Sequence, residues 1–253
     1  MALDAAKEIP GGDRHPSPSL LIVAIVHTLL VIAALAGSTL VAGGSHFPSP
    51  FQSAELSNGF FSQHPDALRL GALLMFGSTV PLGIFAVTAA SRLRFLGVNV
   101  AGISIAMFGG IAAPAMLALS ALAEWTLSFP GVLTAPSTTR ALHLLTFATG
   151  GPGFIVPFGL LVAGISVAAG LARLIPRWLM WFGLGIATVA EFSSLTLMLE
   201  GAAYLLPVAR MTGFVWLICV GAILPKSRAM AAAKRSGRER RIEGPSTQQE
   251  VHA

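Results

Sequence analysis

Residues 20–42 read LLIVAIVHTLLVIAALAGSTLVA, a stretch of 23 residues without a charged side chain. A helix needs about 20 consecutive apolar residues to cross the hydrocarbon core of a bilayer. The stretch therefore predicts a transmembrane helix, and the question is how many more such helices the chain contains.

The composition indicates that most of the chain lies in a membrane. Of the 253 residues, 54% are hydrophobic and only 11% are charged, and the mean hydropathy is +0.76. Soluble domains carry about a quarter charged residues. Barrel strands alternate in hydrophobicity over ~10 residues, whereas the apolar segments here are continuous. We therefore predict an all-α polytopic membrane protein with six transmembrane helices in one bundle.

Six apolar segments carry this prediction, and a polar tail flanks them on each side. The tails, 1–18 and 226–253, contain charged residues, proline and glycine and are predicted to be disordered. The transmembrane domain, 19–225, includes an outer loop, 43–67. The predicted spans are 20–42, 68–90, 98–123, a segment within 141–172, 178–199 and 205–224.

The basic residues predict the orientation of the bundle. With six spans, all but three of the 16 Lys and Arg residues fall on one side of the membrane, the exceptions being Arg69, Arg140 and Arg210. Lys and Arg are enriched in cytoplasmic segments, so both termini of this multi-pass protein are predicted to be cytoplasmic. This placement explains the basic pI of about 10.3 without nucleic acid.

The C-terminal tail contains the basic segment SRAMAAAKRSGRERR at 227–241. Each Lys or Arg near anionic lipid contributes about 1 kcal/mol to membrane binding. Membrane lipids are therefore the predicted partners, with anionic lipid at this tail. A phosphoinositide-type or nucleic-acid site is the alternative explanation of the same charges.

Two features of the N-terminal part leave alternatives open. Span one could be a cleaved signal peptide with ALA at 34–36 as the cleavage site, although three acidic and only two basic residues precede it. Cleavage would leave five spans. The outer loop either lies as an amphipathic turn on the outer membrane surface or packs as an ordered lid over the helix ends. Four phenylalanines would anchor either version: Phe47, Phe51, Phe60 and Phe61.

Glu191 and Arg210 are charged residues within apolar segments. Counted from the cytoplasmic ends of spans five and six at ~1.5 Å per residue, both lie about 20 Å into the membrane. Neighbouring antiparallel helices would bring them together, and pairing would reduce a burial cost of at least ~2.5 kcal/mol per charge. We therefore predict an ion pair. Thr188 and Ser194 share the helix face of Glu191, which is predicted to turn inward.

This predicted pair has three interpretations. It is a structural clasp between two helices, a substrate or proton site, or no pair at all, with Arg210 extending to the membrane surface. Glu200 lies closer to the interface and competes as the partner of Arg210.

Gly150, Gly151, Pro152 and Gly153 interrupt span four. Proline removes a backbone hydrogen bond and glycine adds conformational freedom. The helix is therefore either kinked here or divided into a short outer segment, 140–149, and a spanning helix from about residue 153. Broken helices in membranes often line a binding site, because the freed backbone groups need polar partners.

The sequence contains no recognisable catalytic, metal or cofactor motif. His27 and His143 lie at different depths, so the two are not expected to ligate one haem, and each is predicted to be a packing or interface histidine. The single cysteine, Cys219, has no intrachain partner. We predict no cofactor, metal or catalytic residue, and a non-enzymatic protein is the more natural interpretation.

Four stretches between residues 68 and 225 carry a resemblance to a known family. They are GSTVPLGIFAVTAASRLRFLGVNVAG (77–102), RALHLLTFATGGPGFIVPFGLLVAG (140–164), LIPRWLMWFGLGIATVAEFSSLTLML (174–199) and YLLPVARMTGFVWLICVGAILP (204–225). With these stretches the chain resembles a family of bacterial multi-pass membrane proteins described as a domain of unknown function. The resemblance implies a bacterial origin and a helical bundle in the cell inner (plasma) membrane, and it assigns no functional residues.

Three functions fit these features. The first is a membrane protein that binds or passes a small solute through a polar site near Glu191 and Arg210. The second is a structural or regulatory membrane subunit that assembles as a homo- or hetero-oligomer through small-residue helix faces. The third is an intramembrane enzyme, for which the sequence offers no nucleophile, metal cluster or redox pair.

Overall fold

The structure, a computed structural model, describes residues 13–242. This part of the chain is helical and contains no named β-strand. Two short 3-10 segments, Ser193–Leu197 and Glu200–Tyr204, connect the eighth and ninth α-helices. The α-helices are α1 (Leu20–Val41), α2 (Ala54–Gln63), α3 (Pro65–Phe95), α4 (Ala101–Thr126), α5 (Pro130–Leu133), α6 (Pro136–Gly150), α7 (Pro152–Leu171), α8 (Arg177–Phe192), α9 (Leu205–Ile223) and α10 (Arg228–Ile242).

Six segments of the described chain are long and apolar enough to cross a membrane. They are α1, α3, α4, α6 with α7, α8 with the 3-10 segment after it, and α9 with the 3-10 segment before it. The predicted all-α bundle of six spans is confirmed, and the chain is a multi-pass membrane protein.

Helix α3 differs most from its predicted bounds, since it runs from Pro65 to Phe95 instead of 68–90. Pro65 fits the first turn because the N–H that proline lacks has no partner there in any case. Arg92 and Arg94 occupy the last turn, where positive charge interacts favourably with the helix dipole. The polar residues at both ends of the predicted span therefore belong to the helix instead of flanking it.

Helices α4 and α7 pack closely against each other at glycines. A Cβ on Gly102 would lie 3.0 Å from the carbonyl oxygen of Gly164. A Cβ on Gly109 would lie 2.6 Å from Leu161 N and would also collide with the Pro157 carbonyl. Small residues thus let these two backbones approach closely, as is common where lipid removes the hydrophobic drive for association.

The bundle has two ends. We call "basic end" the one where α1, α4 and α8 begin and α3, α7 and α9 end, and "loop end" the opposite one. Trp178 and Trp181 are exposed at the basic end, and Trp125 and Tyr204 are exposed at the loop end. Such aromatic belts mark the two membrane–water interfaces. Which end faces the cytoplasm stays a prediction.

The predicted disorder of the terminal segments is wrong for the part that the structure describes. His15 N donates to Lys226 O at 3.0 Å, and Arg228 N donates to Asp13 O at 3.1 Å. Residues 13–18 are thereby fixed against the start of α10. This helix forms because alanine, arginine and lysine are strong helix formers. The rest of the predicted tails, 1–12 and 243–253, lies outside the described residues.

The outer loop packs as a lid over the loop end, the second of its two predicted alternatives. His143 Nε2 donates to the carbonyl oxygen of Pro48 at 3.0 Å. Phe61 is fully buried, and its ring packs edge-on against His143 with ring centroids 5.1 Å apart. Phe51 makes a similar contact with Phe147 at 5.2 Å. The aromatic residues of the loop therefore anchor it on α6.

Candidate functional site

The predicted ion pair between Glu191 and Arg210 is wrong. Glu191 is exposed, and within residues 13–242 no ion pair joins it to Arg210. The buried stripe of α8 is formed by Gly183, Ile186 and Ala190, among others. Glu191 lies beside this stripe and not on it, so its helix face turns outward.

Thr188 and Ser194 follow Glu191 onto the exposed face, contrary to the inward orientation predicted for all three. Their hydroxyl groups donate to carbonyl oxygens of their own segment, Thr188 to Leu184 at 2.9 Å and Ser194 to Glu191 at 2.6 Å. Local bonds of this kind satisfy hydroxyl groups on a lipid-facing surface. These side chains therefore form no common site with Arg210.

Arg210 takes a different partner, the carbonyl oxygen of Gly150, to which its Nη2 donates. Its guanidinium also lies over the ring of Phe154, 5.3 Å from the ring centroid. Its Nε is buried without a hydrogen-bond partner among the described residues. Arg210 thus connects α9 to the point where span four is interrupted.

Span four is interrupted at Gly151, which separates α6 from α7. Gly151 has φ −88° and ψ −110°, outside the helical region. In a continuous helix the Gly150 carbonyl would accept from Phe154 N, but that N–H donates to Gly151 O at 3.2 Å. The Gly150 carbonyl is therefore available at the C-terminus of α6, where the helix dipole favours a cation.

The residues around the interruption follow the predicted GGPG pattern. Gly150 ends α6, Gly151 lies between the helices, and Pro152 begins α7 with Gly153 behind it. Proline at the first helical position needs no N–H donor. A Cβ on Gly153 would lie 2.8 Å from the carbonyl oxygen of Ala148. Glycine is thus required where the start of α7 lies close to the end of α6.

A cavity of about 450 Å³ lies at the loop end next to this interruption. Helices α1, α3, α4, α6 and α9 line it, and the loop segment 47–50 covers it. Its walls are mostly apolar, with two ionisable side chains, Arg210 and Glu124. The apolar contribution comes from Ala34, Leu35, Phe47, Met75, Leu117, Phe147, Leu206 and Met211, among others.

Glu124 is the site residue that the sequence analysis missed. It lies in the last turn of α4, against Gly71 of α3, where an added Cβ would be 2.6 Å from Glu124 Oε1. Its carboxylate takes part in none of the hydrogen bonds or ion pairs of the described chain. A signal did exist in the sequence, because Leu117, Ser120 and Glu124 recur at helical spacing on one face of the span.

Polar groups between Glu124 and Arg210 are largely satisfied within the protein. Ser120 Oγ donates to the Thr146 carbonyl oxygen at 2.8 Å, and both residues line the cavity. Thr146 Oγ1 in turn donates to Leu142 O at 2.9 Å. The Glu124 carboxyl group and the Nε of Arg210 are therefore the main polar groups of the cavity without a hydrogen-bond partner among the described residues.

The two histidines within the spans have packing roles. His27 Nδ1 donates to the carbonyl oxygen of Ser78 at 2.8 Å, and its ring meets Phe214 edge-on at 5.1 Å. His143 holds the loop, as described above. Among residues 13–242 no group of three or more His, Cys, Asp or Glu residues is placed to hold a metal ion.

Comparisons with protein-family models, curated proteins and solved structures found no match. The resemblance of residues 68–225 to a bacterial membrane family stays a prediction.

Chemically, the site offers one basic and one acidic side chain in an apolar enclosure. The guanidinium can donate hydrogen bonds to an anionic or carbonyl group. The carboxylate can accept hydrogen bonds from an ammonium or hydroxyl group. In surroundings of low dielectric both interactions are stronger than in water.

Proposed function

We propose that the protein binds a small molecule that carries both an anionic and a cationic group in the cavity between Arg210 and Glu124. One observation carries this proposal: the two opposite charges line the same apolar cavity and form no ion pair with each other. A charge within a membrane is costly and is usually paired or functional. A zwitterionic ligand would complement both charges at once.

The dimensions of the cavity support a ligand of this size. Sites for small molecules and cofactors enclose about 300–1,000 Å³ and place a few polar groups among apolar walls, and this cavity has about 450 Å³. Its position next to an interrupted helix is typical of membrane solute sites. Passage of the bound molecule across the membrane is the second part of the proposal.

The test uses the full-length protein in lipid nanodiscs and measures its thermal unfolding with four probes. Leucine and 2-aminododecanoic acid carry both charges, whereas dodecanoate and dodecylamine carry one each. The zwitterions should raise the melting temperature more than the single-charge probes. Each hydrogen bond to a charged group contributes about 1.5–3 kcal/mol, so Arg210→Gln or Glu124→Gln should weaken binding by about tenfold or more.

Glu191→Gln is the matched control, since Glu191 is exposed and lies outside the cavity. It should bind the zwitterions as the wild type does. Equal responses to zwitterionic and single-charge probes, or binding that survives both Arg210→Gln and Glu124→Gln, would refute the proposed site. Uptake of the bound zwitterion into proteoliposomes, compared with the Arg210→Gln variant, tests its passage.

The alternative function, a subunit that assembles through small-residue faces, stays a prediction. Glycines that permit close approach, such as Gly102, Gly109, Gly159 and Gly164, face other helices of the same chain. They account for packing within the bundle and give no specific support to an external partner.

A further inference from the structure

Helices α1 and α9 enclose one side of the cavity and meet closely at the basic end. There, a Cβ on Gly221 would lie 2.9 Å from the backbone of Leu20. At the loop end the cavity lies between the same two helices, with Leu35 on α1 and Met211 on α9 lining it. The two helices therefore leave a gap between them towards the loop end.

Leu35 and Met211 mark the two edges of this gap. Both line the cavity, and they are 42% and 40% exposed. Leu35 lies six residues before the end of α1, and Met211 lies six residues after the start of α9. At ~1.5 Å per residue both are about 9 Å below the helix ends, a depth at which the surroundings are hydrocarbon.

The loop segment 47–50 forms the wall of the cavity nearest to water. Pro48 and Pro50, which line it from the loop, are both buried. Pro48 is fixed by its hydrogen bond from His143, a residue that is itself 1% exposed. The two prolines are therefore packed under the lid, whereas Phe47, which also lines the cavity, is 37% exposed.

We infer that the ligand is a membrane-dissolved amphiphile that enters sideways between α1 and α9. Its zwitterionic head occupies the space between Arg210 and Glu124, and its apolar chain passes between Leu35 and Met211 into the lipid. This inference rests on the proposed function and adds the class and the source of the ligand. The mostly apolar walls fit the upper part of such a chain.

The experiment compares a lipid-borne and a water-borne zwitterion on the full-length protein in nanodiscs. The first is 2-aminododecanoic acid with a diazirine near the end of its chain, and the second is leucine as a competitor. After illumination, mass spectrometry locates the modified residues. We expect adducts on lipid-facing residues of α1 and α9, and little competition by leucine at concentrations that match the amphiphile.

Variants of the gap provide the direct test. Leu35→Trp and Met211→Trp narrow it and should lower labelling by about tenfold, because an enlarged side chain is accommodated poorly in a packed gap. Leu35→Ala and Met211→Ala widen it and should preserve or increase labelling, so the test holds even if a tryptophan variant fails to fold. Leu29→Trp and Val215→Trp are matched controls, because both residues are lipid-exposed on the same helices and do not line the cavity.

The outcomes separate entry from binding. Labelling that depends on Arg210 but is equal in gap variants and controls, or that leucine competes effectively, would overturn lateral entry and leave the zwitterion site in place. Labelling that is unaffected by Arg210→Gln would overturn the proposed function itself. Labelling lost in the narrowed variants alone, with the controls unchanged, supports the inference.

Discussion

At the basic end of the bundle, cationic side chains are bound to backbone carbonyl groups, whereas at the loop end a cation and an anion line a cavity. Arg228 Nε donates to the carbonyl oxygen of Phe95 at 3.2 Å, and Lys234 Nζ donates to that of Ile223 at 2.6 Å. Phe95 and Ile223 are the last residues of α3 and α9. These cations satisfy the carbonyl groups that helix ends leave free.

Arg210 makes the same kind of contact at the loop end, with the carbonyl of Gly150 at the end of α6. The difference is that this helix end lies inside a membrane span and next to a cavity. The same arrangement, a cation at a helix C-terminus, therefore stabilises the basic end and lies beside a candidate binding site at the loop end.

Arg92→Ala should have the largest effect on stability and none on binding. Arg92 is 1% exposed, and its Nη2 donates to Ser17 Oγ at 2.9 Å and to Pro18 O at 3.1 Å. Loss of these bonds and of a large buried side chain should cost about 3 kcal/mol, measured as a lower melting temperature in nanodiscs. Arg94→Ala, at an exposed position, should change stability by less than about 0.5 kcal/mol. Equal losses in the two variants would contradict the assigned role of Arg92.

Arg210→Gln should affect both properties. The Gly150 carbonyl loses its charged partner, which should destabilise the protein by about 2 kcal/mol, and zwitterion binding should fall as described above. Thermal unfolding with and without 2-aminododecanoic acid measures both effects. A variant with wild-type stability would show that the hydrogen bond from Arg210 to the Gly150 carbonyl does not stabilise the protein.

His143→Ala should loosen the lid by about 1–2 kcal/mol, because the Pro48 carbonyl loses its donor and Phe61 loses an aromatic contact. Limited proteolysis within 43–53 should become faster. His46→Ala, on the same loop and exposed, is the control. A rate of cleavage equal to that of the control would argue against His143 as the anchor.

Glu124→Gln should leave stability within about 0.5 kcal/mol of the wild type, since the amide has almost the same volume and the carboxyl group has no partner to lose among residues 13–242. Zwitterion binding should nevertheless weaken. This separation of binding from stability is what distinguishes the loop end from the basic end. A large loss of stability would indicate that the carboxylate is structural.

The smallest predicted effect is the pH dependence of folding stability that His15 contributes at the basic end. Burial, and secondly the positive charge of Arg92, lower the pKa of His15 below its ordinary value of 6.5. The folded protein therefore prefers the neutral ring, and the unfolded chain binds the proton more readily. The contribution of His15 to stability is present above pH 6.5 and is lost as the pH falls below it. His15→Gln should lose less stability than the wild type between pH 6.5 and 5, and equal curves would exclude this contribution.

Counting residues along the spans predicts how deep a side chain lies, but it does not predict which way its helix is rotated. Residue counts place Glu191 and Arg210 at similar depth, yet the small residues Gly183, Ala187 and Ala190 set the buried side of α8 and leave Glu191 outside. Glu124 was missed because span three was predicted to end at residue 123. Its role appears only when α3 brings Gly71 against its carboxylate.

The sequence by itself determined the medium and the number of spans. Long apolar segments can lower their free energy only in lipid, and each must form a helix there to satisfy its backbone. The sequence also placed most of the basic residues at one end. Its GGPG stretch marked where the helix of span four is interrupted. Only the tertiary structure decided which polar groups meet. Packing through Gly71, Gly150 and Gly221 fixes how the helices rotate and approach one another, and those contacts join residues too distant along the chain for local patterns to pair.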